Sequence, residues 1–258
     1  MNAKKEINKI VKWIKKEVNE SGRSGCVVGV SGGIDSAVVL ALCKLAFPES
    51  TYAIRIPDNN SIGGRPSIVK GKSILDGFDR AEKLIRSLNF NSEHDVHIRL
   101  PGLYFPEENK LAKGNYVARI RMAELYYQAE INKCLMIGTD NLCENYIGYF
   151  AKGRDGAYDI NPLAMFYKSE VYELGKELGI PKEIMDVSPS ADLWEGQTDE
   201  EEIGLSYDDI ERSIKILEEN SDDIDLGVKN VAKVWGMHMN TEHKRWPPRT
   251  YMREIDGL

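Results

Sequence analysis

Cysteine is scarce: Cys26, Cys43, Cys134 and Cys143 are the only four in 258 residues, and no two form a Cys-x-x-Cys pair. So thin a set frames no disulfide scaffold and reads as reduced, buried thiols in a cytosolic protein. Long hydrophobic runs are missing as well. Nothing approaches the roughly 18 apolar residues that span a bilayer, and Met1-Asn2-Ala3-Lys4-Lys5-Glu6 has no apolar export-signal centre, so a membrane or exported protein is not expected. Positive charge is in deficit, with 34 Lys plus Arg against 41 Asp plus Glu and a net charge of -7. A surface of that sign repels nucleic acid. Repeats and low-complexity tracts are absent too. What is there, 42% hydrophobic and 29% charged residues, fits one soluble α/β domain over 1–258, large enough to bury a core without staples.

Ile7, Ile10, Val11, Ile14 and Val18 recur at helical spacing and predict an opening amphipathic helix. Cys26-Val27-Val28-Gly29-Val30 is a short apolar run without polar alternation, as in a parallel strand covered on both faces. A buried helix follows from Ser36 to Phe47, stopped by Pro48, and Thr51–Ile56 reads as the next strand. Ile74, Phe78, Ala81, Ile85 and Leu88 predict a helix, while Val96, Ile98 and Leu100 alternate as a strand. Ala118, Met122, Leu125, Tyr126 and Ala129 predict another helix, leading to a strand at Cys134–Ile137. Ser169 is the expected cap of a helix carrying Val171, Leu174 and Leu178, and Thr198 with Glu201 fits a capping box. Alternating strands and helices predict a doubly wound, mainly parallel sheet with helices on both faces. Segments 57–72 and 140–168 read as long functional loops.

Ser31-Gly32-Gly33-Ile34-Asp35-Ser36 joins the first strand to a helix, a place where backbone N–H groups and the helix N-terminus attract phosphate. It matches neither the Walker nor the dinucleotide fingerprint. A plainer reading makes Gly32-Gly33 a tight turn with Asp35 and Ser36 as helix caps. Asp35 argues for more: a carboxylate beside phosphates calls for a bridging cation such as Mg2+.

This loop resembles that of the ATP pyrophosphatases, enzymes that adenylate a substrate and release pyrophosphate. From Lys113 to Arg245 the chain resembles one branch, the ammonia-dependent NAD synthetases. The resemblance rests on Gly114-Asn115 with Ala118-Arg119-Ile120-Arg121-Met122, on Ile137-Gly138-Thr139-Asp140-Asn141 with Glu144 and Gly148, and on Lys152-Gly153-Arg154-Asp155-Gly156-Ala157-Tyr158-Asp159. Pro162-Leu163 with Lys168, the segment Ser188–Glu200 and His243-Lys244-Arg245 complete it. Ala151, Gly153-Arg154 and Phe166-Tyr167 depart from the usual Thr, Tyr-Gly and Leu-Thr.

The resemblance implies an adenine nucleotide alpha hydrolase-like fold without a glutaminase domain, working as a homodimer. It implies ATP contacts at Gly29, Val30, Ser31, Gly32, Gly33, Ile34, Asp35, Ser36, Thr139, Lys168 and Ser190, with Asp35, Ser36 and Lys168 at the reaction centre. Mg2+ would lie at Asp35 and Glu144, and deamido-NAD at Arg119, Lys152, Asp159, His243 and Lys244. The implied reaction adenylates the nicotinate carboxylate of deamido-NAD, then lets ammonia, free or delivered by a partner protein, displace AMP to give NAD. Three rivals stand beside it. A tRNA-modifying ligase would want a basic surface, a nucleotide-binding module would not need Glu144 or Lys168, and a metal hydrolase would rest on His94-x-x-His97 alone.

Overall fold

The computed structural model describes residues 1–56, 72–91, 93–98, 110–153, 156–190, 198–219, 230–247 and 250. The opening helix is α1 (Ala3–Glu20), with Ile7, Ile10, Ile14 and Val18 buried at the expected spacing. Strand β1 (Cys26–Gly29) leads to α2 (Ile34–Ala46), then β2 (Thr51–Arg55), α3 (Lys72–Ser87), β3 (Asp95–His97), α4 (Lys110–Ile131) and β4 (Leu135–Ile137). All three pairings, β3 with β2, β2 with β1 and β1 with β4, are parallel, and the order across the sheet is β3-β2-β1-β4. Ile160 adds a single parallel bridge to Ile137.

Both faces of the sheet are covered. Successive side chains of a strand point to opposite faces. Cys26 and Val28 of β1 therefore pack with α1, α2 and α6 (Lys168–Glu177), while Val27 packs with Ile54, Met136 and Ala129 of α4 on the other side. The doubly wound expectation holds. All four cysteines are free and buried, as their scarcity suggested. A second apolar cluster joins α5 (Leu142–Ile147), α9 (Tyr207–Glu219) and α10 (Val231–Asn240), with Ile147, Ile210, Ile214, Val231 and Val234 at its centre. Short α7 (Lys182–Met185), α8 (Asp199–Ile203) and α11 (Glu242–Arg245) complete the described helices.

Three expectations need correction. Segment 140–168 is not one loop, because it contains α5. Asn141 Oδ1 accepts from Glu144 N–H, Glu144 Oε2 accepts from Asn141 N–H, and Gly148 closes the helix at φ 68°. A capping box and a left-handed C-cap are enough to hold six residues as a helix when Cys143 and Ile147 are buried. Ser169 does not cap α6: Tyr167 does, its N–H reaching Glu170, and the Ser169 hydroxyl turns instead to Glu211. Strand β3 stops at His97, although Ile98 N–H still reaches the Arg55 carbonyl at 3.0 Å. Residues 57–71, the side chains of Ile74 and Phe78, Leu100, Arg154-Asp155 and residues 191–197 lie outside what is described.

Candidate active site

The chain reverses its direction of travel across the sheet between β1 and β4, so the loops leaving their carboxyl ends part and leave a crevice there. Ser31-Gly32-Gly33 leaves β1 and Gly138-Thr139-Asp140 leaves β4. Gly32 sits at φ 88°, where a side chain would be strained. At Gly138 a Cβ would stand 2.4 Å from the Tyr158 ring, so only glycine lets that ring close under the β4 tip.

The helices that follow the two loops, α2 and α5, meet at Lys168 through Asp35 and Glu144. Its Nζ is 2.5 Å from Asp35 Oδ2 and 3.5 Å from Glu144 Oε1, and the side chain is only 4% exposed. Asn141 ties the carboxylates together further, donating through Nδ2 to Asp35 Oδ1 at 3.1 Å and through its backbone to Glu144. Burial, then the charge of Asp35, pushes the Glu144 carboxyl up to about 7, with Lys168 opposing. Burial works to lower the Lys168 ammonium, yet Asp35 and Glu144 outweigh it and hold the amine firmly protonated. Two carboxylates at one cation within hydrogen-bond reach are hard oxygen donors of the kind Mg2+ takes together with substrate phosphates, so the donor set fits that ion.

The glycine-rich loop is bonded to itself. Ser36 Oγ accepts from Ser31 N–H, donates to the Gly33 carbonyl and lies 3.1 Å from Ser31 Oγ, while Gly33 N–H reaches Ser31 Oγ. Ser36 is therefore turned into the loop. Gly33 caps α2 without a side-chain bond and Asp35 turns to Lys168 and Asn141, so these residues are not the simple helix caps of the plainer reading. Gly29 ends the strand beside Leu125, Val30 just past it donates its N–H to the Ile54 carbonyl, and Ile34 is buried in the core. Thr139 is half-buried on the β4 loop, and Ser190 is half-buried next to Pro189, whose carbonyl accepts from Asp199 N–H.

The residues expected at the second substrate form another group. Arg119 Nη2 donates to the Lys152 carbonyl at 3.3 Å, and Lys152 Nζ donates to the His243 carbonyl at 2.7 Å. Lys244 Nζ instead reaches the Gly148 and Phe150 carbonyls just past the end of α5. Asp159 stands apart, its carboxylate accepting from Met136 N–H at the open edge of β4. His94, half of the rival metal pair, is held by Asn91 and packs on Tyr52.

Sequence reasoning missed Arg80 and Tyr207, and held Asp199 only as a member of the Ser188–Glu200 segment, with no role of its own. Arg80 reaches from α3 to the Gly32 carbonyl at 3.2 Å. Tyr207 OH lies 2.9 Å from Glu144 Oε1 and 3.1 Å from Asp199 Oδ2. No local pattern flagged Arg80 or Tyr207; at Asp199 the Ser188–Glu200 segment and the Thr198 cap marked the place in the chain but not the contact with Tyr207.

Comparison with known proteins bears on the same residues. The NAD synthase family model matches residues 6–248. The chain is 37% identical over 257 residues to an NH(3)-dependent NAD(+) synthetase of Alkaliphilus oremlandii, covering 96% of each. Among solved structures, NMN synthetase from Francisella tularensis is 34% identical with TM-score 0.78, covering 97% of this chain and 99% of that one. An NH3-dependent NAD synthetase from Campylobacter jejuni is 27% identical with TM-score 0.75, covering 98% and 100%.

Proposed function

The chain belongs to the NAD synthase family, and on that premise we propose that the crevice between β1 and β4 carries out the ATP-dependent amidation of deamido-NAD by ammonia, yielding NAD, AMP and pyrophosphate. The observation that carries this reading is the buried Lys168 ammonium between Asp35 and Glu144, at the meeting point of two strand tips. A site for displacement at phosphorus needs fixed charge more than a protein nucleophile. Lys168 would neutralise phosphate charge, the β1 loop and the α2 N-terminus would seat the departing diphosphate, and Arg119, Lys152, His243 and Lys244 would receive the second anionic substrate. Asp35 and Glu144 would hold Mg2+, which when bound supplies charge neutralisation at the phosphates. Ser36 would shape the loop around the reacting group. Ammonia, free or delivered by a partner, would then displace AMP from the adenylated carboxyl.

We read residues 1–258 as one synthetase domain in the cytosol, and the protein as a homodimer. Support for a second copy comes from α4, where Tyr116, Tyr127 and Ile131 are 45%, 60% and 55% exposed on a helix whose opposite side is packed on the sheet. No described helix is long and apolar enough to cross a membrane.

A second reading is favoured by the 34%-identical relative named NMN synthetase: the acid would then be nicotinate mononucleotide. The two acids are offered separately to the purified enzyme with ATP, Mg2+ and ammonium. Higher kcat/KM with deamido-NAD is expected; a preference for the mononucleotide would install the second reading, and turnover of neither would end both.

A further inference from the structure

Tyr207 has no part in the reaction as drawn above, yet it is 6% exposed and its only oxygen sits between two carboxylates. Glu144 Oε2 is already fixed by Asn141 N–H, so its direction depends on what holds Oε1. Two groups do: Lys168 Nζ at 3.5 Å and Tyr207 OH at the shorter 2.9 Å. Lys168 is shared with Asp35 and has phosphates to meet, whereas Tyr207 is anchored behind the site. Its ring belongs to the α5–α9–α10 core, and its backbone N–H donates to Glu200 Oε1 at 2.9 Å. The phenol also meets Asp199 Oδ2, and Asp199 Oδ1 in turn accepts from Tyr149 OH at 3.2 Å.

We propose that Tyr207, anchored by Asp199, is a positioning residue that aims Glu144 at the divalent ion. The proposal rests on the reading of Asp35 and Glu144 as metal-holding carboxylates. A ligand carboxylate left without its outer hydrogen bond turns and loses affinity for its metal, typically about 10- to 100-fold. Asp199 is the first residue of α8, capped by Thr198, so the same phenol would link the start of α8 to the metal face.

The test measures Mn2+ binding by electron paramagnetic resonance on the full chain with α,β-methylene-ATP, which cannot be cleaved, alongside the Mg2+ dependence of turnover. Tyr207→Phe is expected to bind Mn2+ about tenfold more weakly and to need correspondingly more Mg2+ for half-maximal rate, while kcat at saturating Mg2+ falls far less. A merely structural role would lower the melting temperature and leave the metal dependence alone. Asp199→Ala, which unanchors the phenol without touching Glu144, should weaken Mn2+ by a smaller factor and decides the matter if Tyr207→Phe does not fold. Tyr149→Phe, which loses its bonds to Asp199 and Glu202 but leaves the Tyr207 phenol between Asp199 and Glu144, should bind Mn2+ close to wild type. Unchanged Mn2+ affinity in folded Tyr207→Phe or, failing that, in Asp199→Ala overturns the proposal. Asp35→Asn separates the two claims: if it weakens Mn2+ while Tyr207→Phe does not, the metal reading survives and the positioning role is lost. If Asp35→Asn is also unchanged, the metal reading itself is gone.

Discussion

At Lys168 a single ammonium lies against two carboxylates in a place nearly closed to water. Removing one member of such a buried set leaves charge uncompensated, and this makes the cluster costly to keep except where charged substrates use it. His238 presents a different case, a titratable group packed among aromatic rings. Its ring lies 4.2 Å from Tyr146 and 5.5 Å from Trp235, centroid to centroid, and its Nδ1 meets the Tyr146 carbonyl at 2.9 Å. Burial lowers its pKa below 6.5; Arg245 adds to this, while the Tyr146 carbonyl and Glu242 oppose. The folded protein thus binds fewer protons than the unfolded chain below pH 6.5, so this contribution to stability is present above that pH and fades as pH falls. In urea unfolding on either side of pH 6.5, His238→Phe should lose less stability on acidification than wild type, and an equal loss in both would remove His238 from the acid limb. Residue types explain what was legible at this scale. Asp35, Glu144 and Lys168 stand in short motifs whose chemistry is local. Tyr207 meets Glu144 from 63 residues away, so only the fold brings the two together. Ser36 shows the converse: its place in the motif was plain, but its inward turn was not.

Among the elements, those with strong periodicity were legible: α1, α2 and β1 form as the spacing of their apolar residues dictates. Short α5 was not, because six residues carry little periodicity and are held by caps and by neighbours from α9 and α10. Helix α4 was legible in position but not in its second apolar side. Val117, Ala118 and Ala129 are buried, whereas Tyr116, Tyr127 and Ile131 are exposed. Exposed apolar side chains aligned on one helix mark an association surface. On the proposed homodimer, wild type is expected to sediment as a dimer and Tyr127→Glu at the same concentration as a monomer. Identical sedimentation of the two would remove α4 from the interface.

On the scale of the whole molecule, the order β3-β2-β1-β4 does what no single motif does: it sets the β1 and β4 loops side by side. Asp35, Glu144 and Lys168, far apart in sequence, come into contact there, and the parallel register explains why they can. The net charge of -7 is not spread evenly in its consequences, since Arg80, Lys168, Arg119 and Lys152 all lie at the loops where anionic substrates would bind. The central claim is that this crevice joins the substrate carboxylate to the α-phosphorus of ATP. The direct measurement is phosphorus NMR of the reaction run with deamido-NAD carrying oxygen-18 in its nicotinate carboxylate. Label appearing in AMP, with pyrophosphate unlabelled and NAD formed in equal amount, is the predicted result. ADP with labelled inorganic phosphate, or AMP free of label, would contradict it.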